Sequence, residues 1–180
     1  MNVWTDVSKN RIKPNNFLVF IEIEKGSKNK YELDKETGLI ILDRVLNSAT
    51  HYPMNYGFIP LTLCSDGDPI DVFVLCSQTI QSGRLVQCYP IGVVNMTDQS
   101  EQDDKIIAIP FGDPLYNQFS DLSDLPKNLF DELSQFLSIY KQLENKKVVI
   151  GSIEGRKSAV EHVADSIKKF ENEFVDKTKK

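Results

Sequence analysis

The sequence is poor in the residues on which several common chemistries depend. Its 180 residues include two histidines, His51 and His162, and no His-Glu-x-x-His motif. A histidine-assisted serine or cysteine nucleophile would have to use one of them. Neither has a supporting motif, so each reads as a solvated or core-edge ring. Three cysteines, Cys64, Cys76 and Cys88, make an odd count with no Cys-x-x-Cys pair. That argues against a disulfide framework and against a thiolate zinc site. No apolar run nears the roughly 18 residues of a membrane helix. Residues 1–14 are polar, and the run Phe17–Ile21 stops at Glu22, too short for a signal peptide. A cytoplasmic location is expected. There is no internal repeat, no low-complexity tract, no long linker and no Walker-type glycine-rich loop.

Bases are also missing from the middle of the chain. Residues 60–125 carry ten acids and two bases, Arg84 and Lys105, a net of −8 against −5 for the whole chain. Residues 1–59 and 126–180 are slightly positive. A middle this acidic repels nucleic-acid phosphates, which disfavours a nucleic-acid binder. It reads either as solvated acidic loops or as carboxylates gathered around divalent cations. With 41% apolar and 26% charged residues, the composition is globular. The length fits one domain over 1–180, with a core from about 16 to 175.

Short runs rich in Val, Ile and Phe are divided by Gly, Pro and Asn turns. Strands are expected at Phe17–Glu24, Tyr31–Leu33, Leu39–Leu42, Tyr56–Leu63, Ile70–Leu75, Leu85–Val94, Lys105–Ile109 and Lys147–Ile153. Many short strands suggest a small closed barrel. Two segments have helical period. Leu129, Leu133, Phe136, Leu137 and Tyr140 form one stripe, with Pro126 near its start. Val160, Val163, Ile167, Phe170 and Phe174 form another, with Ser158 and Glu161 at capping-box spacing. Asp176–Lys180 is expected to fray.

The densest chemistry is Asp66-Gly67-Asp68-Pro69-Ile70-Asp71, with three carboxylates in six residues. Like charges this close are costly unless a cation neutralises them or a proton is shared. Magnesium and manganese favour such hard oxygen donors. An EF-hand fails on spacing, because its sixth and twelfth positions would be Asp71 and Ser77. Alone, the segment would also suit an exposed acidic turn. A second polar cluster, Met96 to Lys105, can serve as a hairpin loop or as the opposite wall of a metal site. Lys30 and Glu32 share one face of a strand.

Taken in order, these segments resemble the soluble inorganic pyrophosphatases of family I, in the short form found in bacteria. The resemblance rests on Asp66–Val72, Lys30-Tyr31-Glu32, Asp43-Arg44, Tyr52–Gly57, Met96-Thr97-Asp98, Asp103-Asp104-Lys105 and Tyr140–Glu144. It spans about residues 16–145 with compatible spacing. It implies hydrolysis of pyrophosphate to two orthophosphates by in-line attack of a metal-activated hydroxide, without a covalent intermediate. Several Mg2+ ions are implied, with Mn2+ or Zn2+ as substitutes. Carried over by motif, Asp66, Asp71 and Asp103 would hold the metal pair. Asp98 and Glu32 would support further metals, and Glu22 would lie at the edge. Asp68 resembles the general base, and Tyr56 would hydrogen-bond near the nucleophile or the electrophilic phosphate. Lys30, Arg44, Tyr140 and Lys141 would bind phosphoryl oxygens, and Lys105 would neutralise charge. The resemblance further implies an α+β, mainly β fold, a closed five-stranded barrel of the oligonucleotide-binding type flanked by two helices, and a homohexamer. Neither nucleic acid nor membrane is an expected partner.

The chain departs from the family pattern in two places. Gln99 stands where many relatives have Glu, which removes a charge near the expected metals. The Gly-Trp pair frequent before the last helix has no counterpart in residues 151–155, and the one tryptophan is Trp4. Rival readings are a nucleic-acid-binding barrel, a metal-dependent hydrolase of a nucleotide or another phosphoester, and a catalytically dead relative used as a structural subunit, which the complete carboxylate set opposes. The acidic middle opposes the first. The missing nucleotide-binding loop opposes the second.

Overall fold

Runs of β-branched and aromatic residues favour a pleated, buried backbone, and nine strands form in the computed structural model, which describes residues 2–175. They are β1 (Phe17–Ile23), β2 (Asn29–Leu33), β3 (Ile40–Val45), β4 (Asn55–Phe58), β5 (Asp71–Val74), β6 (Leu85–Asp98), β7 (Glu101–Gln102), β8 (Lys105–Pro110) and β9 (Val148–Gly155). Two helices follow the expected stripes, α1 (Asn128–Ile139) and α2 (Arg156–Phe170). The tail expected to fray lies outside the described residues.

Five strands close into a ring. β1 pairs with β4, β4 with β5, β5 with β8, β8 with β6, and β6 returns to β1. Closure depends on β6, which is longer than any sequence reading of it. Register shifts at Pro90–Gly92 and Val94–Met96 bend it. Its first residues therefore pair with β1, and its last with β7 and β9. Bulges of this kind turn barrel corners. Gly57 is needed where β4 meets β1, since a Cβ there would stand 1.8 Å from the Phe20 carbonyl oxygen. β2 and β3 form a separate two-stranded ribbon beside the ring.

Successive residues of a strand point to opposite faces, and here each face has its own apolar cluster. Val72, Val74, Ile106 and Ala108 join Trp4 and the α2 residues Ala159, Val163 and Phe170. Phe73, Leu75, Ile107 and Ile109 join the α1 residues Phe130, Leu133, Phe136 and Leu137.

Three local expectations are corrected. The strand expected over Tyr56–Leu63 ends at Phe58, and Thr62 instead organises a loop, donating to the Ile59 carbonyl and accepting from the Ile70 N–H. The Ser158–Glu161 capping box does not form. α2 begins three residues earlier, after Gly155, and its first N–H, of Arg156, is capped from a distant loop by Asp121 at 2.8 Å. Phe174 lies beyond α2 and is 39% exposed, with its ring against Trp4 and Phe170.

Candidate active site

The parallel pairing of β5 and β8 places Asp71 directly beside Lys105 at one end of the ring. The Lys105 side chain is 4% exposed and pairs with both Asp71 and Asp103. Burial alone would lower its ammonium, but the two carboxylates outweigh burial and hold it well above its ordinary value. Burial raises the Asp103 carboxyl, Lys105 opposes that rise, and Asp71 adds to it.

The turn before β5 follows from its residues. Gly67 takes φ +85°, a conformation open to glycine. The Gly67 N–H donates to the Cys64 carbonyl at 3.2 Å, and the Cys64 N–H to the Asp68 carbonyl at 2.7 Å. Asp66 accepts from the Asp68 N–H at 3.0 Å. Asp66 and Asp68 both face the cavity, yet they do not bind each other's side chains. Asp68 pairs with Lys35, and burial raises the Asp66 carboxyl.

The opposite wall comes from the β6–β7 hairpin. Gln99 and Ser100 turn it in left-handed conformations, at φ 50° and 75°. The Asp103 N–H then donates to the Met96 carbonyl at 2.9 Å, and Asp104 accepts from the Met96 N–H at 3.0 Å. These bonds hold Asp98 and Asp103 on one side of the cavity. Asp98 pairs with Lys141.

Glu22 joins the ring to the ribbon. It is 6% exposed and accepts from the Leu33 N–H at 2.9 Å. Burial pushes its carboxyl well above the usual range, and Asp71 adds to the effect. On the ribbon, Lys30 pairs with Glu32. An aromatic stack fixes the phenols: Tyr140 lies on Phe136 at 5.0 Å, Phe136 meets Tyr52 at 4.9 Å, and Tyr52 meets Tyr56 at 5.3 Å. All three phenols are O–H donors at neutral pH, and burial raises them further above their ordinary value.

These walls enclose a cavity of about 890 Å³. It is lined by Asp66, Asp68, Asp71, Asp98, Asp103, Glu22, Glu32, Lys30, Lys105, Lys141, Tyr56 and Tyr140, all expected at the site. Arg44 is the exception and does not line it. It faces Lys30 across the ribbon, held by Asp43 and by Glu144 at 2.8 Å, with Nη2 buried and without a partner. Lys35, Tyr52 and Glu101 line the cavity without having been singled out. Tyr52 belongs to the Tyr52–Gly57 segment that carries the family resemblance. Lys35 lies in the turn between β2 and β3, where sequence alone suggests a solvated charge.

A profile described as inorganic pyrophosphatase matches residues 19–171. Soluble inorganic pyrophosphatase 2 of Chlamydomonas reinhardtii is 44% identical over 96% of this chain and 90% of its own length. The inorganic pyrophosphatase of Haloferax volcanii is 41% identical over 92% and 96%. The solved structure of inorganic pyrophosphatase from Helicobacter pylori superposes with a TM-score of 0.87 at 41% identity, covering 92% of this chain and 99% of that one. The chain belongs to the inorganic pyrophosphatase family.

The acidic wall suits hard cations. Every carboxylate offers oxygen, and Asp98 Oδ1 is buried with no hydrogen-bond partner, a free acceptor beside the cavity. As the side chains stand, no three His, Cys, Asp or Glu groups among the described residues converge on one ion position. The charge between Asp71 and Asp103 is the Lys105 ammonium. Other acids of the middle segment serve the fold. Asp113 accepts from the Ser77 N–H at 2.6 Å, and Asp124 caps a turn through the Ser120 N–H at 2.9 Å. Gly155 is followed by Arg156, whose guanidinium lies 5.7 Å from the Tyr89 ring centre.

Proposed function

We propose that this chain hydrolyses inorganic pyrophosphate to two orthophosphates, with magnesium as its metal and manganese or zinc as substitutes. The observation that carries this is one cavity with a carboxylate wall facing Lys30, Lys141 and Tyr140, in a chain of this family. A polyanionic substrate is repelled by carboxylates alone. It binds such a wall through cations, with lysines receiving its remaining charge.

Asp66, Asp71 and Asp103 would hold the metal pair, Asp98 and Glu32 further ions, and Glu22 the edge of the cluster. Divalent cations, when bound, would supply charge neutralisation and bring a bound water's pKa down toward about 7. The chain's own groups do the rest. Lys30, Lys141 and Tyr140 hold phosphoryl oxygens in line, Arg44 reaches them from beside Lys30 on the ribbon, and Tyr56 donates a hydrogen bond near the nucleophile or the electrophilic phosphate. Asp68 orients the attacking water and takes its proton. The oxygen–phosphorus bond forms as the bridging bond breaks, and the second phosphate leaves. No protein nucleophile takes part.

A single domain, a cytoplasmic location and a homohexamer complete the reading, with neither nucleic acid nor membrane as partner. No helix among the described residues is long and apolar enough to cross a membrane. The test is phosphate release from magnesium pyrophosphate, beside ATP and a simple phosphomonoester, with and without EDTA. Fast, chelator-sensitive release from pyrophosphate alone is expected. Preference for ATP or the monoester would assign another phosphohydrolase activity, and no release under any divalent metal would refute the proposal.

A further inference from the structure

Where the tip of the ribbon meets the loop before β5, Lys35, Asp66 and Asp68 all line the cavity. Lys35 lies in the turn between β2 and β3. Its ammonium pairs with the Asp68 carboxylate and donates to the Gly67 carbonyl at 3.1 Å. The same ammonium stands 5.5 Å from the ring centre of Trp4. Lysine, arginine and ligand cations are attracted to an indole face at this range.

Trp4 is itself tied to both partners. Its indole N–H donates to the Thr62 carbonyl at 2.9 Å, and its carbonyl accepts from the Leu61 N–H at 2.9 Å. Thr62 in turn accepts from the Ile70 N–H, so Trp4 braces the start and the end of the loop that carries Asp66 and Asp68. On the other side, Asn2 accepts from the Trp4 N–H at 3.0 Å and donates to the Lys35 carbonyl at 3.1 Å. The N-terminal segment therefore holds the lysine's backbone and the platform under its side chain together.

We propose that Lys35, seated on Trp4, is a positioning residue that aims the Asp68 carboxylate into the cavity from the ribbon tip. The proposal rests on the reading of Asp68 as the base. About half of each paired side chain is exposed, 47% for Lys35 and 55% for Asp68. Half-exposed pairs are modest interactions. Losing Lys35 should therefore cost several-fold in kcat, about 3–10-fold, far below the roughly 10²–10⁴ expected for loss of a base.

The experiment combines kinetics with the emission of Trp4, the one tryptophan of the chain. Lys35→Met and Lys35→Arg are compared in kcat and KM. Asp68→Asn is placed in both the wild-type and the Lys35→Met backgrounds for emission without substrate. Lys35→Met should lower kcat several-fold with KM little changed, and Lys35→Arg should restore most of it. Asp68→Asn should shift the Trp4 emission in the wild-type background and leave it unmoved in the Lys35→Met background, as for groups coupled through a third. Either of two results would overturn the proposal: a rise in KM with kcat unchanged, or an emission response to Asp68→Asn that does not depend on Lys35. Full turnover by Asp68→Asn would instead remove the base reading, and the emission result would still report the Lys35 bridge.

Discussion

Replacing Lys105 by methionine separates the two sources of positive charge at the site. The substitution keeps most of the buried stem and removes the ammonium that Asp71 and Asp103 share. Two carboxylates about 4 Å apart repel by about 4 kcal/mol at an effective dielectric near 20. Removing one partner of a buried pair typically costs about 3–5 kcal/mol, the same range. At about 2–4 °C per kcal/mol for a chain of this size, a 4 kcal/mol loss lowers the melting temperature by about 8–16 °C. That figure applies in EDTA near neutral pH. Lower pH should narrow the gap, because a proton on one carboxylate removes the repulsion. Magnesium should narrow it too, because a divalent cation bound by the same carboxylates replaces the missing charge and stabilises the folded state by mass action. The assay is thermal unfolding of both proteins with EDTA and with a magnesium series. An equal gap at every magnesium concentration, or no gap in EDTA, would refute the reasoning.

Three further outcomes follow from single contacts. Asp121→Ala removes the acceptor for the Arg156 and Ser123 N–H groups, and capping losses of this kind cost about 1–2 kcal/mol. The bond from Arg156 holds the Asp121 carboxyl below its ordinary value of 3.8. Its contribution is therefore present above that value and lost as pH falls through the lower folded value. Denaturant unfolding at neutral pH should show the deficit, and the two proteins should converge in strong acid. Asp103→Asn should weaken magnesium dependence in activity titrations, with the half-saturating concentration raised; an unchanged titration would argue against its role as a ligand. Gln99→Glu restores a charge on the cavity wall and should tighten the weakest metal step in calorimetric titration while leaving the fold unchanged.

Much of the ring could be read from local pattern, because each strand is a short β-branched run between turn residues. The closure could not. It depends on the bends of β6 at Pro90–Gly92 and Val94–Met96, and no local signal announces that a strand will pair with four others. The parallel pairing of Asp71 with Lys105 is likewise a product of the ring, although both residues stood out on their own. The misread start of α2 has a related cause. Ser158 offered a cap at the right spacing, but Asp121, 35 residues before Arg156, supplies it through the tertiary fold. Arg44 was placed with the substrate-binding groups by its motif, and its pairs with Asp43 and Glu144 come from the fold. Lys35 escaped notice because a charged residue in an Asp-Lys-Glu-Thr-Gly turn looks solvated until the turn is seen to reach Trp4 and Asp68.

The central claim is that the acidic and basic walls form one hydrolytic site in which Asp68 handles the water's proton. It is tested most directly by steady-state phosphate release from magnesium pyrophosphate for wild type and Asp68→Asn, with circular dichroism and magnesium binding measured on the same samples. The account predicts a loss of about 10²–10⁴ in rate with the fold and metal binding intact. Near-wild-type turnover by Asp68→Asn would contradict it.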